Sequence, residues 1–190
     1  MTRSMVSLRS AEVCDAPLLA ELWTEVLRRA DHQDQVGELE LIIKAASGSP
    51  EERVIVADYD GRLAGAVYLR VATVSPLNLE PVVQVLSPHV FAHSRRHGVG
   101  HALMESAVTF AEEIGVGHVM SAAASSSRDA NRFLARLGLG PNAVMRFAPT
   151  NLVRVKLTAQ RPELTTSNGR QLTRVLAARR SMRRAQATGR

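Results

Sequence analysis

Apolar residues recur along this chain with two different periods, and the switches between them predict its elements. A short first strand fits residues 5–9. From Asp15, an N-cap candidate with Pro17 in the first turn, apolar side chains return at Leu18, Leu19, Leu22, Trp23, Val26 and Leu27. Spacings of three and four put them on one helical face, with Glu21 and Glu25 outside it. A second helix is predicted over residues 35–46, where Leu39, Ile42, Ile43 and Ala46 share a side. Ser47-Gly48-Ser49-Pro50 stops it. The run Val54-Ile55-Val56-Ala57 then leads to Asp60-Gly61, a two-residue hairpin signal, and residues 63–74 return as the partner strand.

After Ser75-Pro76-Leu77-Asn78, read as a loop, residues 82–91 predict another strand. Pro88 lies near its end and removes a ladder donor, so a bulge or splayed edge is expected there. Gly98-Val99-Gly100 opens a helix through Leu103, Ala107, Phe110 and Ile114, closed by Gly115. Residues 118–123 read as a short strand, and Ser127 caps a helix through Ala130, Phe133, Leu134 and Leu137. Two last strands are predicted over residues 143–148 and 152–157, where Val153, Val155 and Leu157 alternate with Arg154 and Lys156. The order β-α-α-β-β-β-α-β-α-β-β predicts a mixed α/β domain.

With 45% apolar residues in 190, the chain can bury the core of one domain. No apolar run approaches the roughly 18 residues that span a bilayer, and Met1-Thr2-Arg3-Ser4 opens no apolar leader segment. The lone Cys14 forms no internal disulfide, so a reducing, cytoplasmic compartment is expected. The formal charge of +6 suggests a nucleic-acid partner until it is divided along the chain. Residues 1–157 carry a net −1, whereas residues 158–190 carry eight Arg against Glu163, a net +7. The expected organisation is therefore a nearly neutral domain, 1–157, and a basic C-terminal extension, 158–190. Within the extension, residues 164–168 read as a linker and 170–186 as a helix bearing Arg174, Arg179, Arg180, Arg183 and Arg184. Nucleic acid, an anionic surface or an acidic partner would all suit that charge. It has no aromatic residue for base stacking, and a solvated extension packed on its own domain or a twin subunit is the alternative.

The segment carrying most chemistry is Val90-Phe91-Ala92-His93-Ser94-Arg95-Arg96-His97-Gly98-Val99-Gly100-His101. A strand ends, a basic loop follows, and glycines open a helix. The first four N–H groups of a helix lack internal partners and lie at the positive end of its dipole. Glycines allow close approach to that backbone, so the segment suits a phosphate or pyrophosphate. A Walker loop is excluded by the missing Gly-Lys-Ser/Thr, and a dinucleotide fingerprint by Leu103, which stands where its third glycine belongs.

Arg95-x-x-Gly98-x-Gly100 on a strand–loop–helix resembles the acyl-CoA motif of the GNAT (Gcn5-related) N-acetyltransferases. The element order over residues 1–157 is similar too, and Asn131-Arg132-Phe133-Leu134-Ala135-Arg136-Leu137-Gly138-Leu139 resembles a later family helix. The resemblance implies a mixed, mostly antiparallel central sheet with helices on both faces. It implies acetyl-CoA as co-substrate, with no metal, and transfer of the acyl group to a primary amine by direct attack. Pantetheine would pair with the backbone of His89 and Val90. The pyrophosphate would lie on the amides of Arg96, His97, Gly98, Val99, Gly100 and His101, with Arg95 opening the motif. The N–H near Val90 would polarise the thioester carbonyl.

Several positions depart from the family pattern. Leu134 stands where many members carry a Tyr acid, and Ser127 where an Asn is frequent. The usual acidic base position falls on Leu86 or Ser87. His89 is the candidate general base, since imidazole as a class exchanges protons near neutrality; a strand histidine touching cofactor or solvent is the alternative. His89, His93, His97 and His101 recur every four residues, yet Pro88 and the glycines interrupt any single helix, and no metal site is expected. Ser125, Ser126 and Ser127 read as a loop and helix cap, and Cys14 as a small packed residue. Asp31, His32, Asp34, Glu38 and Glu40 would form an acidic wall for a cationic amine near the first two helices. Without an acid, a GNAT-like acyl-CoA-binding module acting through its tail is the competing reading. A homodimer is compatible with either.

Overall fold

The computed structural model describes residues 5–160, which divide into two compact units after Gly140. The linker and Arg-rich helix predicted over 164–186 lie outside the described residues. Among the described residues no helix is long and apolar enough to cross a membrane.

The first unit runs β1 (Val6–Ser10), α1 (Ala16–Leu22), α2 (His32–Ser47), β2 (Glu52–Tyr59), β3 (Arg62–Ser75) and β4 (Asn78–Val90). It continues with α3 (Val99–Glu113), β5 (Val119–Ser121) and α4 (Arg128–Arg136). The five strands form one sheet in chain order, antiparallel from β1 to β4 and parallel between β4 and β5. Strand alternation separates two cores. On one face Val54, Val56 and Ala66 meet Leu19, Trp23, Leu39 and Ile43 of the α1/α2 region. On the other, Val67, Leu69, Val83 and Val85 meet Leu103, Ala107 and Phe110 of α3.

Local chemistry explains the connections. Asp60 and Gly61 have φ of 52° and 75°, the positive pair a primed hairpin turn requires. The segment read as a loop at 75–78 is itself a hairpin turn. Ser75 Oγ accepts from the N–H groups of Leu77 and Asn78, at 3.2 and 3.0 Å. That side-chain bonding lets β4 start at Asn78, four residues earlier than the hydrophobic pattern alone predicts.

The first helix is shorter than predicted. It ends at Leu22, and the N–H groups of Val26 and Leu27 bond to the Trp23 carbonyl in a following turn. Asp15 precedes α1 without a side-chain capping bond. Its carboxylate instead takes two bonds from Arg9, at 2.7 and 2.9 Å, and one from the Glu12 N–H at 2.8 Å. Arg9 Nε also bonds Asp58 at 2.9 Å, so one guanidinium ties the start of α1 to β1 and β2. That guanidinium holds the Asp15 carboxyl below the usual carboxylate range.

In the second unit, the two predicted late strands are corrected. Residues 141–148 form no regular element, and Thr150–Ala159 is a helix, α5. Leu152 and Val155, and Val153 and Leu157, are also apolar neighbours at helical spacings of three and four, so a five-residue alternation cannot separate the two periods. Pro149 precedes the helix, and the Asn151 side chain accepts from the Leu152 N–H at 2.9 Å.

Candidate functional site

β4 changes partners along its length. Val83, Gln84 and Val85 pair with Val119, Met120 and Ser121 of β5, and Ser121 Oγ donates to the Val85 carbonyl at 3.1 Å. β5 ends there. Beyond it, β4 continues to Val90 and, among the described residues, pairs with β3 alone. The ladder steps from Tyr68↔Leu86 to Ala66↔His89, two residues on β3 against three on β4. The extra residue is a bulge at Ser87-Pro88, with Ser87 at φ 48°, as expected from the proline.

The bulge sets what the open edge presents. The Phe91 N–H donates to the Ala64 carbonyl at 2.9 Å, so it faces β3. By the alternation of an antiparallel ladder, the N–H and C=O of Val90 turn away from β3, toward the side where β5 has stopped. Gly65 makes this close arrangement possible. A Cβ there would lie 2.6 Å from the His89 carbonyl oxygen and 3.0 Å from Val99 Cγ1. The absence of a side chain brings β3, the end of β4 and the first residue of α3 together. Sequence reasoning missed Gly65, although a glycine inside a strand is itself a signal of close backbone approach.

α3 begins immediately beyond this junction. Its N-cap, Gly98, has φ 84°, and Arg96 just before it has φ 67°. Gly98 is therefore explained by backbone conformation. Gly100 is not: a Cβ there would meet Phe133 Cζ at 3.6 Å and Val90 Cγ2 at 3.9 Å, ordinary contact distances. Arg95 and Arg96 are exposed and form no ion pair among the described residues. The histidines have separate surroundings. His93 stacks on Phe91 with centroids 5.4 Å apart, and His97 lies 4.5 Å from the Tyr59 ring. His101 Nδ1 is 4.0 Å from Glu105 on the same helix. Ser127 precedes α4 without a side-chain capping bond. Asn131 Nδ2 holds that turn instead, bonding the carbonyls of Ala124 and Ser127 at 2.9 and 2.7 Å. Leu134 packs with Phe133 and Leu137 against the α3 core.

His89 pairs with Ala66, so its side chain is on the α1/α2 face, opposite α3. Its Nδ1 is 3.1 Å from the Ser87 carbonyl, which also accepts from Trp23 Nε1 at 2.8 Å. A carbonyl can only accept, so the His89 bond requires the proton on Nδ1 and leaves Nε2 as the basic nitrogen of the neutral ring. On the same face, an open pocket of about 250 Å³ abuts the bulge. Trp23, Leu27, Leu39, Ile42, Tyr68 and Leu86 line it, with Ser87 at its edge. Burial, and then a hydrogen bond to Glu52, raise the Tyr68 hydroxyl above its ordinary pKa. Tyr68 belongs to the preceding hairpin, and pairing across β3 and β4 brings it opposite Leu86.

The acidic residues expected to form a wall near the first two helices are partly engaged by neighbours. Asp31 accepts from the Asp34 N–H at 2.8 Å and caps α2, Glu38 pairs with Arg28, and Glu40 pairs with Lys44. None of these carboxylates lines the pocket.

Residues 17–139, from α1 through α4, match the pattern of the acetyltransferase (GNAT) family. No curated protein matches the chain. Among solved structures, a transcriptional regulator from Bacillus halodurans is similar at 19% identity and TM-score 0.62, covering 75% of this chain and 100% of that one. An aminoglycoside N-acetyltransferase in complex with CoA is similar at 14% identity and TM-score 0.65, covering 79% and 98%. Glucosamine-6-phosphate N-acetyltransferase from Arabidopsis thaliana is similar at 14% and 0.60, covering 77% and 99%. These likenesses concern the fold. The family match spans more than half of the sequence and includes the glycine turn, β4 and both flanking helices, so the chain belongs to the GNAT acetyltransferase family.

Proposed function

We propose that the protein transfers an acetyl group from acetyl-CoA to a primary amine by direct attack on the thioester. The observation carrying this reading is the unpaired end of β4 beside the N-terminus of α3. The outward backbone groups of Val90 run along pantetheine, next to His89, whose own N–H and C=O face β3. The amides of Arg96, His97, Gly98, Val99, Gly100 and His101 take the pyrophosphate, and Arg95 and Arg96 add positive charge. Ser127 adds a hydroxyl from the start of α4.

The outward N–H of Val90 is aimed at the thioester carbonyl and stabilises the oxyanion as the amine adds. A C–N bond forms, the C–S bond breaks, and CoA leaves as its thiolate. His89 Nε2 accepts the amine proton; Ser87, by fixing the proton on Nδ1, is the positioning group for that step. Leu134 gives no proton to the thiolate. That observation favours a second reading, an acyl-CoA-binding module without efficient turnover.

Calorimetric titration with acetyl-CoA tests both, using a Gly98/Gly100 double substitution as the weakened control. Absence of binding by the intact protein overturns both readings. Given binding, thiol release above background with an amine panel establishes the transferase, and uniformly flat rates establish the module.

A further inference from the structure

The pocket on the α1/α2 face differs in chemistry from the amide-rich end of α3. Its walls are the rings of Trp23 and Tyr68 and branched aliphatic side chains, and no carboxylate lines it; the Tyr68 hydroxyl is already bonded to Glu52. The Trp23 N–H is already taken by the Ser87 carbonyl, so the indole offers its ring and no spare donor. Ser87 is the point where pocket and candidate base meet, since its carbonyl also holds His89.

We propose that this pocket takes the apolar part of the acyl acceptor, an amine carrying one aryl or branched alkyl group. The inference rests on the transferase reading above and deepens it by naming a substrate class. A polyammonium chain entering these walls would lose its hydration without gaining a carboxylate partner. An aryl or branched alkyl group instead leaves water for a matching apolar surface. The volume of about 250 Å³ lies below the roughly 300–1,000 Å³ of clefts for drug-sized ligands, which fits one ring or branched chain. With that group seated, the amine end is left for the bulge, beside the carbonyl that orients His89.

Trp23 is the single tryptophan of the chain, so its emission reports this pocket alone. The test titrates the full-length protein with 2-phenylethylamine, its neutral analogue 2-phenylethanol, and spermidine. Both aryl compounds are expected to change Trp23 emission saturably, at concentrations at least tenfold below any effect of spermidine. Ile42 is 38% exposed, so Ile42→Asn is compatible with folding. It should weaken both aryl compounds at least fivefold and leave acetyl-CoA affinity unchanged. Thiol release should be faster with 2-phenylethylamine than with spermidine. The reverse order in emission or in thiol release overturns the proposal, as does a silent titration with both aryl compounds. Acetyl-CoA calorimetry keeps the two failures apart. Binding of acetyl-CoA with no aryl effect removes the pocket's occupant alone, whereas aryl binding without acetyl-CoA binding removes the transferase reading and the acceptor role with it.

Discussion

The two faces of the sheet at the end of β4 are built from different materials. On the α3 face the groups presented are backbone amides, shaped by the close approach at Gly65 and the positive φ at Gly98. On the α1/α2 face they are side chains: an indole, an imidazole and aliphatic walls gathered around one bulge carbonyl. In the function proposed above, backbone amides take what all acyl-CoA molecules share, and side chains take what distinguishes one acceptor from another. The first face is therefore fixed by glycine placement and the second by burial.

Gly65 is the joint between the faces, and altering it should disturb both. In Gly65→Ala the new Cβ meets a backbone oxygen at 2.6 Å, which no rotamer change relieves. A stability loss of about 3 kcal/mol is expected in chemical denaturation, with acetyl-CoA and aryl-amine binding both weakened. A loss near zero would mean that β3 and β4 can separate freely, and the proposed control of the open edge would fail.

Arg9 belongs to one face only. Arg9→Ala strips Asp15 of two bonds at the start of α1, and a loss of about 1–3 kcal/mol is expected, reduced because the guanidinium is partly exposed. Asp15 has its folded-state pKa lowered, so its contribution is present above its unfolded value of about 3.9 and disappears as pH falls through the folded value. The stability gap between wild type and Arg9→Ala should accordingly be constant near neutrality and close in acid below about pH 4. A gap that widened in acid would contradict this account of the pair. Acetyl-CoA affinity at pH 7 should stay unchanged, since Arg9 does not touch the α3 junction.

The glycine turn separates conformation from ligand approach. Gly98→Ala places a Cβ on a residue at φ 84° and should cost about 1 kcal/mol of stability. Gly100→Ala has room between Phe133 and Val90, so its stability change should stay within about 0.5 kcal/mol. If the amide of residue 100 receives a phosphate, that same substitution should weaken acetyl-CoA about tenfold, roughly 1.4 kcal/mol. Normal affinity in Gly100→Ala would assign this glycine no part in binding.

These contrasts also account for how much was legible in the sequence. The glycine turn, the hairpin at Asp60-Gly61 and the bulge at Pro88 are read locally, because each depends on the backbone limits of one or two residues. The pocket was not legible, because Trp23 and Leu86 lie far apart in sequence and meet only through sheet pairing. The partners of the acidic residues near the first two helices were hidden for the same reason. Their number was visible, but not that Asp31, Glu38 and Glu40 are each engaged by a neighbour on or beside α2. At Thr150–Ala159 the pattern was short enough to satisfy both periods, and the helix won.

The smallest contrast sets one helix start on each face against the other. Asp31 and Ser127 both occupy N-cap positions, although of the two the sequence reading assigns that task to Ser127 alone. Asp31 performs it, accepting from the Asp34 N–H at 2.8 Å, whereas the Ser127 side chain makes no capping bond. Asp31→Ala should therefore cost about 1 kcal/mol, and Ser127→Ala less than about 0.5 kcal/mol. If the Ser127 hydroxyl is kept for the co-substrate, its removal should weaken acetyl-CoA a few-fold while the melting temperature stays put. A melting temperature that falls with unchanged affinity would return Ser127 to the ordinary role of a helix cap.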